Sequence, residues 1–394
     1  MGNSFSPQAD EPRGTQSVPG LAPVHTFYSP RSWIEGSATQ QLETIASLPG
    51  VKAVAAMPDL HPGKFGPVGH PQFVGADIGC GMGLFQLDVP MRKLRADKTA
   101  ERLRVLEGPW DGDTAAALTD AGLNSTAFDA SLGTIGGGNH FCEVQAIEEI
   151  VEPEVAARAG LDRQLAYVLV HSGSRGLGYS VLEQQLASGG APLVPASEAG
   201  LAYLTAHDVA VRWAMLNRRI IANRAAEALR ADIRPVTDVG HNLAEAHAGG
   251  ILHRKGAAPA DRGLVAVPGS RGTLSYLVEP LAPARPEALA SLAHGAGRKY
   301  ERSAMHGRVG TVKSELERLA RNPFGGLVVC EDRNLLVEEA PDAYKAIDRV
   351  IADLVEFGLA RVVATFRPLV TFKTARGADP AKRPRQHGKR RIRR

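Results

Sequence analysis

Cysteine is scarce in this chain, and long apolar runs are missing. Three cysteines, Cys80, Cys142 and Cys330, occur in 394 residues. An odd and widely spaced set argues against a disulfide framework. It fits reduced thiols in a cytosol, so a cytoplasmic location is expected. No run of about 18 apolar residues exists, which excludes a membrane-spanning helix. The polar N-terminus reads as carrying no signal-peptide segment. Aromatics are only 5% of the chain, and Trp33, Trp110 and Trp213 form no base-stacking pattern. Acids are missing from Lys382–Arg394, which holds eight Lys or Arg. The formal charge of +4 is therefore 4 − 8 = −4 for the remainder. Such a tail reads as a disordered solubilising end or as a grip on nucleic-acid phosphates.

Hydrophobic residues make up 44%, enough for a large core in one or two domains. Residues 1–24 are rich in Gly, Ser, Pro and Gln and read as a flexible lead-in. A helix is expected from Ser32 to Pro49-Gly50, one long helix or two abutting ones from Leu201 to Leu229, and an amphipathic helix from Ala343 to Phe357 capped by Gly358. Strands are expected at Val51–Met57, Gly83–Asp88, Leu165–Val170, Leu264–Val267, Gly326–Cys330 and Arg361–Phe366. There is no internal duplication and no regular βαβ repeat. The expected class is α+β, or a complex α/β arrangement, with a catalytic body over 25–376 and a tail over 377–394.

What the chain does have is a series of metal-ligand side chains in glycine-rich stretches. Asp77 and Cys80 sit in GADIGCG, His140 in GTIGGGNHF, His171 in VHSGSRG, and His241 in the pair His241-Asn242. One carboxylate, one thiol and three imidazoles suit Mn²⁺, Zn²⁺ or a similar divalent ion, and the glycines let backbone amides approach phosphate. Each has a bland reading alone: a buried cysteine in a glycine turn with a capping aspartate, or a structural histidine after a turn. His171 stands out because it ends an apolar strand and precedes Ser172, Ser174 and Arg175. That loop of hydroxyls and a guanidinium suits an anion. His294, in HGAGR, is sterically open beside Arg298. It reads as a sixth ligand, a general acid, or a nucleophile toward phosphorus. His25, His70, His207, His306 and His387 read as surface or loop residues, Cys142 as buried and inert, and Cys330 as core.

Together MPDLHPG (57–63), GADIGCGM, GTIGGGNHFCE, VHSGSRGLG, the HN pair, HRKGA (253–257), PGSRGTLSY (268–276), HGAGR and EEAPDAYKAID (338–348) resemble the RtcB family of GTP-dependent RNA ligases. The likeness runs in family order from about 57 to 373. The opening YSPRSWIEGSATQQLETIASLPGV is more similar to the branch coupled to release factor H, linked to RNA repair. The resemblance implies the family's fold with a central metal and nucleotide cleft, two Mn²⁺ ions and GTP. By position Cys80 would bridge the ions, His171 and His241 completing one site and Asp77 with His140 the other. His294 matches the guanylylated histidine, and Asp59 the acid that orients it. Asn139, Glu143, Asn242, Ser270, Ser275, Ala296, Gly297 and Lys373 fall where the family contacts GTP, and Arg175 and Arg298 where it contacts phosphate. Expected partners are RNA with 3′-phosphate or 2′,3′-cyclic phosphate and 5′-hydroxyl ends, with room for an activator protein and a functional link to a release factor. Arg271 replaces an apolar residue of the family pattern and would add charge beside the nucleotide loop. Two rival readings are a metal-dependent cyclic phosphodiesterase or phosphatase acting on RNA ends, and a non-catalytic RNA-binding relative.

Overall fold

The computed structural model describes residues 21–62, 74–190, 193–248, 250–281, 285–310 and 312–373. Most of the expected lead-in and all of the basic tail lie outside these residues, as do His70 and His387. Eight strands make one curled sheet: β1 (Gly81–Pro90), β2 (Phe141–Ile150), β3 (Leu165–Ser172), β4 (Ile233–Gly240), β5 (Val265–Pro268), β6 (Ser275–Pro280), β7 (Leu327–Val329) and β8 (Ala360–Phe372). Their order is β5-β6-β8-β2-β3-β1-β4, with antiparallel neighbours, and β7 pairs with β8 in parallel. The curl brings β4 toward β5, where Thr237 Oγ1 donates to the Leu264 carbonyl at 2.6 Å. The α+β expectation holds.

Both faces of this sheet are covered, which explains why Leu165–Val170 is apolar without alternation. One face carries Met82, Leu84, Tyr167, Leu169, Leu277 and Phe366 into the curl. The other carries Phe85, Val144, Val168 and Val170 against Ile221, Ala222, Ala225 and Leu229 of the helix Glu198–Leu229. That helix is one unbroken 32-residue element, with Ser197 capping its start by accepting from the Gly200 amide. Ile347, Val350, Ile351 and Leu354 of a second amphipathic helix, Ile347–Glu356, pack on Val265, Val267 and Val278. Among the described residues no helix is long and apolar enough to cross a membrane.

Several boundaries differ from the sequence reading. The first helix begins at Gly36 rather than Ser32, leaving Trp33 40% exposed. The strand at 361–366 runs on to Phe372, because Pro368, which cannot donate, sits at a register shift against β2. The helix expected from Ala343 starts at Ile347, so Tyr344 and Lys345 belong to a loop. Gly358 follows that helix with φ +66°, as a C-terminal glycine should.

Candidate functional site

The sheet topology explains why scattered ligands meet. Cys80 precedes β1 and His140 precedes β2, while His171 is the penultimate residue of β3 and His241 follows β4. These four strands are neighbours in the order β2-β3-β1-β4. Because they alternate in direction, two strand starts and two strand ends lie on one rim. Cys80 Sγ is 3.1 Å from His171 Nε2 and 3.3 Å from His140 Nε2. His171 Nε2 is 3.3 Å from His241 Nε2, and His140 Nε2 is 3.1 Å from Asp77 Oδ2. Two groups result, Cys80–His171–His241 and Asp77–Cys80–His140, each with donor atoms within 4.8 Å of one another and Cys80 in both.

These donors fit a cation. His171 Nδ1 donates to the Asn139 carbonyl at 3.2 Å, so its Nε2 presents a lone pair to the Cys80 sulfur and to His241. Burial holds both His171 and His241 well below the usual histidine range, and their imidazole neighbours push further the same way, so both are neutral, as ligation requires. His241 Nδ1 is buried with no hydrogen-bond partner. Burial raises the Cys80 thiol, and the Asp77 carboxylate raises it further. A divalent charge would reverse that preference. Burial also raises the Asp77 carboxyl, but His140 and Lys255 outweigh it and hold the group below the usual range. Its side chain is 37% exposed, so water screens part of that effect.

Glycine makes the convergence possible at one close approach in particular. A Cβ on Gly173 would lie 2.2 Å from Asp77 Oδ1, so only glycine lets the 172–176 loop pass the ligand turn. Arg175 has φ 57° and ψ −137°, a region costly for any side chain, and its guanidinium reaches His140 Nδ1 at 3.4 Å.

Beside this rim opens a cavity of about 720 Å³. Asn139, Glu143, His171, Ser270, His294, Ala296, Gly297, Arg298 and Lys373 all line it. His294 follows the short strand Ser291–Ala293, which pairs with Ala257–Pro259. The Ala257 amide in turn donates to the His241 carbonyl at 3.2 Å, tying this ribbon to the ligand rim. The His294 and His241 rings lie 4.4 Å apart between centroids. His294 Nδ1 is 2.6 Å from both Asp59 Oδ2 and the Gly256 carbonyl. Two acceptors around one nitrogen require Nδ1 to carry the proton, which leaves Nε2 as the nitrogen with a lone pair in the neutral ring. The same Asp59 oxygen accepts from the His294 amide at 3.2 Å.

A model of the family described as tRNA-splicing ligase RtcB matches residues 41–110 and 107–374. The chain belongs to the RtcB family. Its relatives include the RNA-splicing ligase RtcB2 of Escherichia coli, 44% identical over 368 residues that cover 90% of this chain and 96% of that protein. The tRNA-splicing ligase RtcB of Archaeoglobus fulgidus is 28% identical, covering 89% and 94%. The RNA-splicing ligase RtcB of Mycobacterium tuberculosis is 30% identical, covering 84% and 99%. Membership places the chain among RNA ligases.

Within this RtcB chain, some expected residues stand behind the cavity wall. Asn242 spends its amide on backbone, Nδ2 donating to the Asp77 carbonyl at 3.1 Å and Oδ1 accepting from Gly256 at 2.9 Å. Ser275 Oγ accepts from Gln145 Nε2 at 3.0 Å, and the same amide bonds Glu143 at 2.7 Å. Burial raises the Glu143 carboxyl, against the opposing bonds from Thr371 and Gln145. Burial pushes Lys373 down to about 8, and its Nζ donates to the His140 carbonyl at 3.1 Å. Arg271 lines the cavity too, with its charge tethered to backbone. Its guanidinium donates to the Leu336 carbonyl at 2.8 Å and to the Glu339 carbonyl, at the end of the helix Arg333–Glu338.

Other residues escaped the sequence reading. Asn217 and Arg218, fully buried on the long helix, hold the ligand loops from behind. Asn217 Nδ2 reaches Thr134, Ser172 and Gly173, and its Oδ1 accepts from the Gly133 amide at 2.7 Å. Arg218 donates to the Gly79 carbonyl at 2.7 Å, the Ser172 carbonyl at 2.9 Å and Asp238 at 2.6 Å. Glu339, 2% exposed, accepts from Arg298 at 3.1 Å, Arg302 at 3.0 Å and the Tyr344 hydroxyl. His207, expected at the surface, is 1% exposed and accepts from the Ala244 amide at 2.9 Å. Cys142 is buried as expected, whereas Cys330 is only half-buried.

Proposed function

We propose that the chain joins RNA 3′-phosphate or 2′,3′-cyclic phosphate ends to 5′-hydroxyl ends, using GTP and two Mn²⁺ ions, through GMP carried on His294. The observation that carries this reading is the state of His294. Its Nδ1–H is clamped by two acceptors, which leaves Nε2 to carry the lone pair in the neutral ring, and it stands against a wall of five metal-type donors beside a cavity of about 720 Å³.

Cys80, His171 and His241 would hold one ion, and Asp77, Cys80 and His140 the other. Bound ions would supply positive charge to the phosphate oxygens of nucleotide and RNA. The His294 Nε2 lone pair attacks the α-phosphorus of GTP, and the bond to the β-phosphate oxygen breaks, so pyrophosphate leaves. The ring becomes cationic as the P–N bond forms, and Asp59, hydrogen-bonded at Nδ1, stabilises that charge. An oxygen of the RNA 3′-phosphate then attacks the same phosphorus and breaks the P–N bond, giving an RNA end activated by GMP. The 5′-hydroxyl of the other fragment attacks the terminal RNA phosphorus, losing its proton, and GMP departs. A cyclic phosphate is first opened by water. Glu143 and Lys373 are the residues we assign to the guanine end, and Arg175 and Arg298 to phosphate. A release factor or activator protein would act on this same cycle, and a cytoplasmic location suits its reduced thiol.

The test is incubation with labelled GTP and Mn²⁺. Acid-labile label on the wild type and none on His294→Ala is the expected result. Absence of any label, with 3′ ends still hydrolysed, would favour a phosphodiesterase instead.

A further inference from the structure

The loop between Tyr344 and Ala346 contains an ammonium group with no assigned part in ligation. Lys345 is 8% exposed, and its Nζ donates to the Pro58 carbonyl at 3.0 Å and to the Leu60 carbonyl. These two carbonyls flank Asp59. Its own backbone amide donates to the Gly297 carbonyl at 3.0 Å, in the loop that follows His294. Gly297 in turn adopts φ +69°, and a Cβ there would lie 2.2 Å from the Asp59 carbonyl oxygen. One residue therefore joins the segment carrying the acid to the segment carrying the imidazole. No paired strand does this: residues 57–62 are turn and coil, so their hold on the protein rests on such side-chain contacts.

We propose that Lys345 is a positioning residue that fixes the Asp59 carboxylate on His294 Nδ1 by stapling the backbone on either side of Asp59. This rests on the reading of His294 as the nucleophile. Burying an ammonium is costly unless it is fully hydrogen-bonded, and here the carbonyls that satisfy it are the ones whose placement aims Asp59. Burial pushes Lys345 down to about 8, while Asp59 and Asp353 favour its charged form.

The experiment is single-turnover guanylylation by the full chain with GTP and Mn²⁺, comparing wild type, Lys345→Met, Asp59→Ala and the double variant. Lys345→Met is expected to slow label transfer about 10–100-fold, with the half-saturating GTP concentration changed less than about threefold. The double variant should match Asp59→Ala within about twofold, because a staple acting through Asp59 has nothing left to place. Multiplicative losses in the double variant, or a wild-type rate in Lys345→Met, would overturn the staple. Should Lys345→Met lose its cooperative thermal transition, Lys345→Gln, which keeps an amide donor, enters the same comparison. A wild type that takes no label, or whose label survives His294→Ala, overturns the nucleophile reading instead, so the two failures are distinguishable.

Discussion

The two walls of the cavity are built in different ways. The ligand wall is made of strand ends: Cys80, His140, His171 and His241 are fixed by β-ladder register, with Asn217 and Arg218 of the long helix bracing the loops from behind. The wall that carries the proposed nucleophile is made of loops. His294, Asp59, Gly297 and Lys345 are held by side-chain bonds to backbone and by glycine-permitted contact. Rigid spacing suits donors that must share a small charge cluster. Loops held by side-chain bonds suit a group proposed to accept and release a nucleotide.

The largest effect should come from the ligand wall. Cys80→Ala removes the one donor common to both groups and is expected to lower ligation more than about a thousandfold. It should also abolish the Mn²⁺-induced rise in melting temperature, measured by calorimetry. Next comes the brace. Arg218→Met leaves Asp238 with its burial-raised carboxyl unpaired and two loop carbonyls unsatisfied. A loss of about 3 kcal/mol in urea unfolding is expected, together with weaker metal retention. Asp59→Asn tests the opposite wall: guanylylation should slow about 10–100-fold while stability changes by less than about 1 kcal/mol. If Arg218→Met were the benign variant and Asp59→Asn the unfolding one, the contrast between the walls would be reversed.

Taken per imidazole, the smallest effect is on pH. His61 is pushed down to about 4 by burial, and His171, His207 and His241 are also held below the usual histidine range, burial being the main cause. These folded values lie below the unfolded one. The unfolded chain therefore takes up protons first as pH falls through about 6.5, and the folded chain does not. Stability of the metal-free protein is full above that point. It should fall on the order of 1 kcal/mol per pH unit for each such imidazole, until the folded value is reached. Urea titrations at pH 7.5, 6.0 and 5.0 would check this, and added Mn²⁺ should steepen the loss.

Much of the ligand wall could be read in the sequence because each donor sits beside a strand signal or a glycine turn, as with Leu165–Val170 before His171. The braces could not. Asn217 and Arg218 sit inside a helix where polar residues are ordinary, and nothing local marks Arg218 as buried. The spacing Tyr203, His207, Ala210, Ala214, Asn217 and Ile221 does follow one helical face, and all six are buried. That periodicity was the available signal for His207. Strand β8 runs past the expected end at Phe366 because a register shift absorbs Pro368, which cannot donate. Lys345 is concealed by a helical pattern that begins four residues later in the fold, at Ile347, than the sequence suggests, at Ala343.

Intact-mass measurement after incubation with GTP and Mn²⁺ tests the central claim most directly. The account predicts one added GMP on the wild type, mapped to His294 and missing from His294→Ala. An adduct on another residue, or none while RNA ends are still joined, would contradict it.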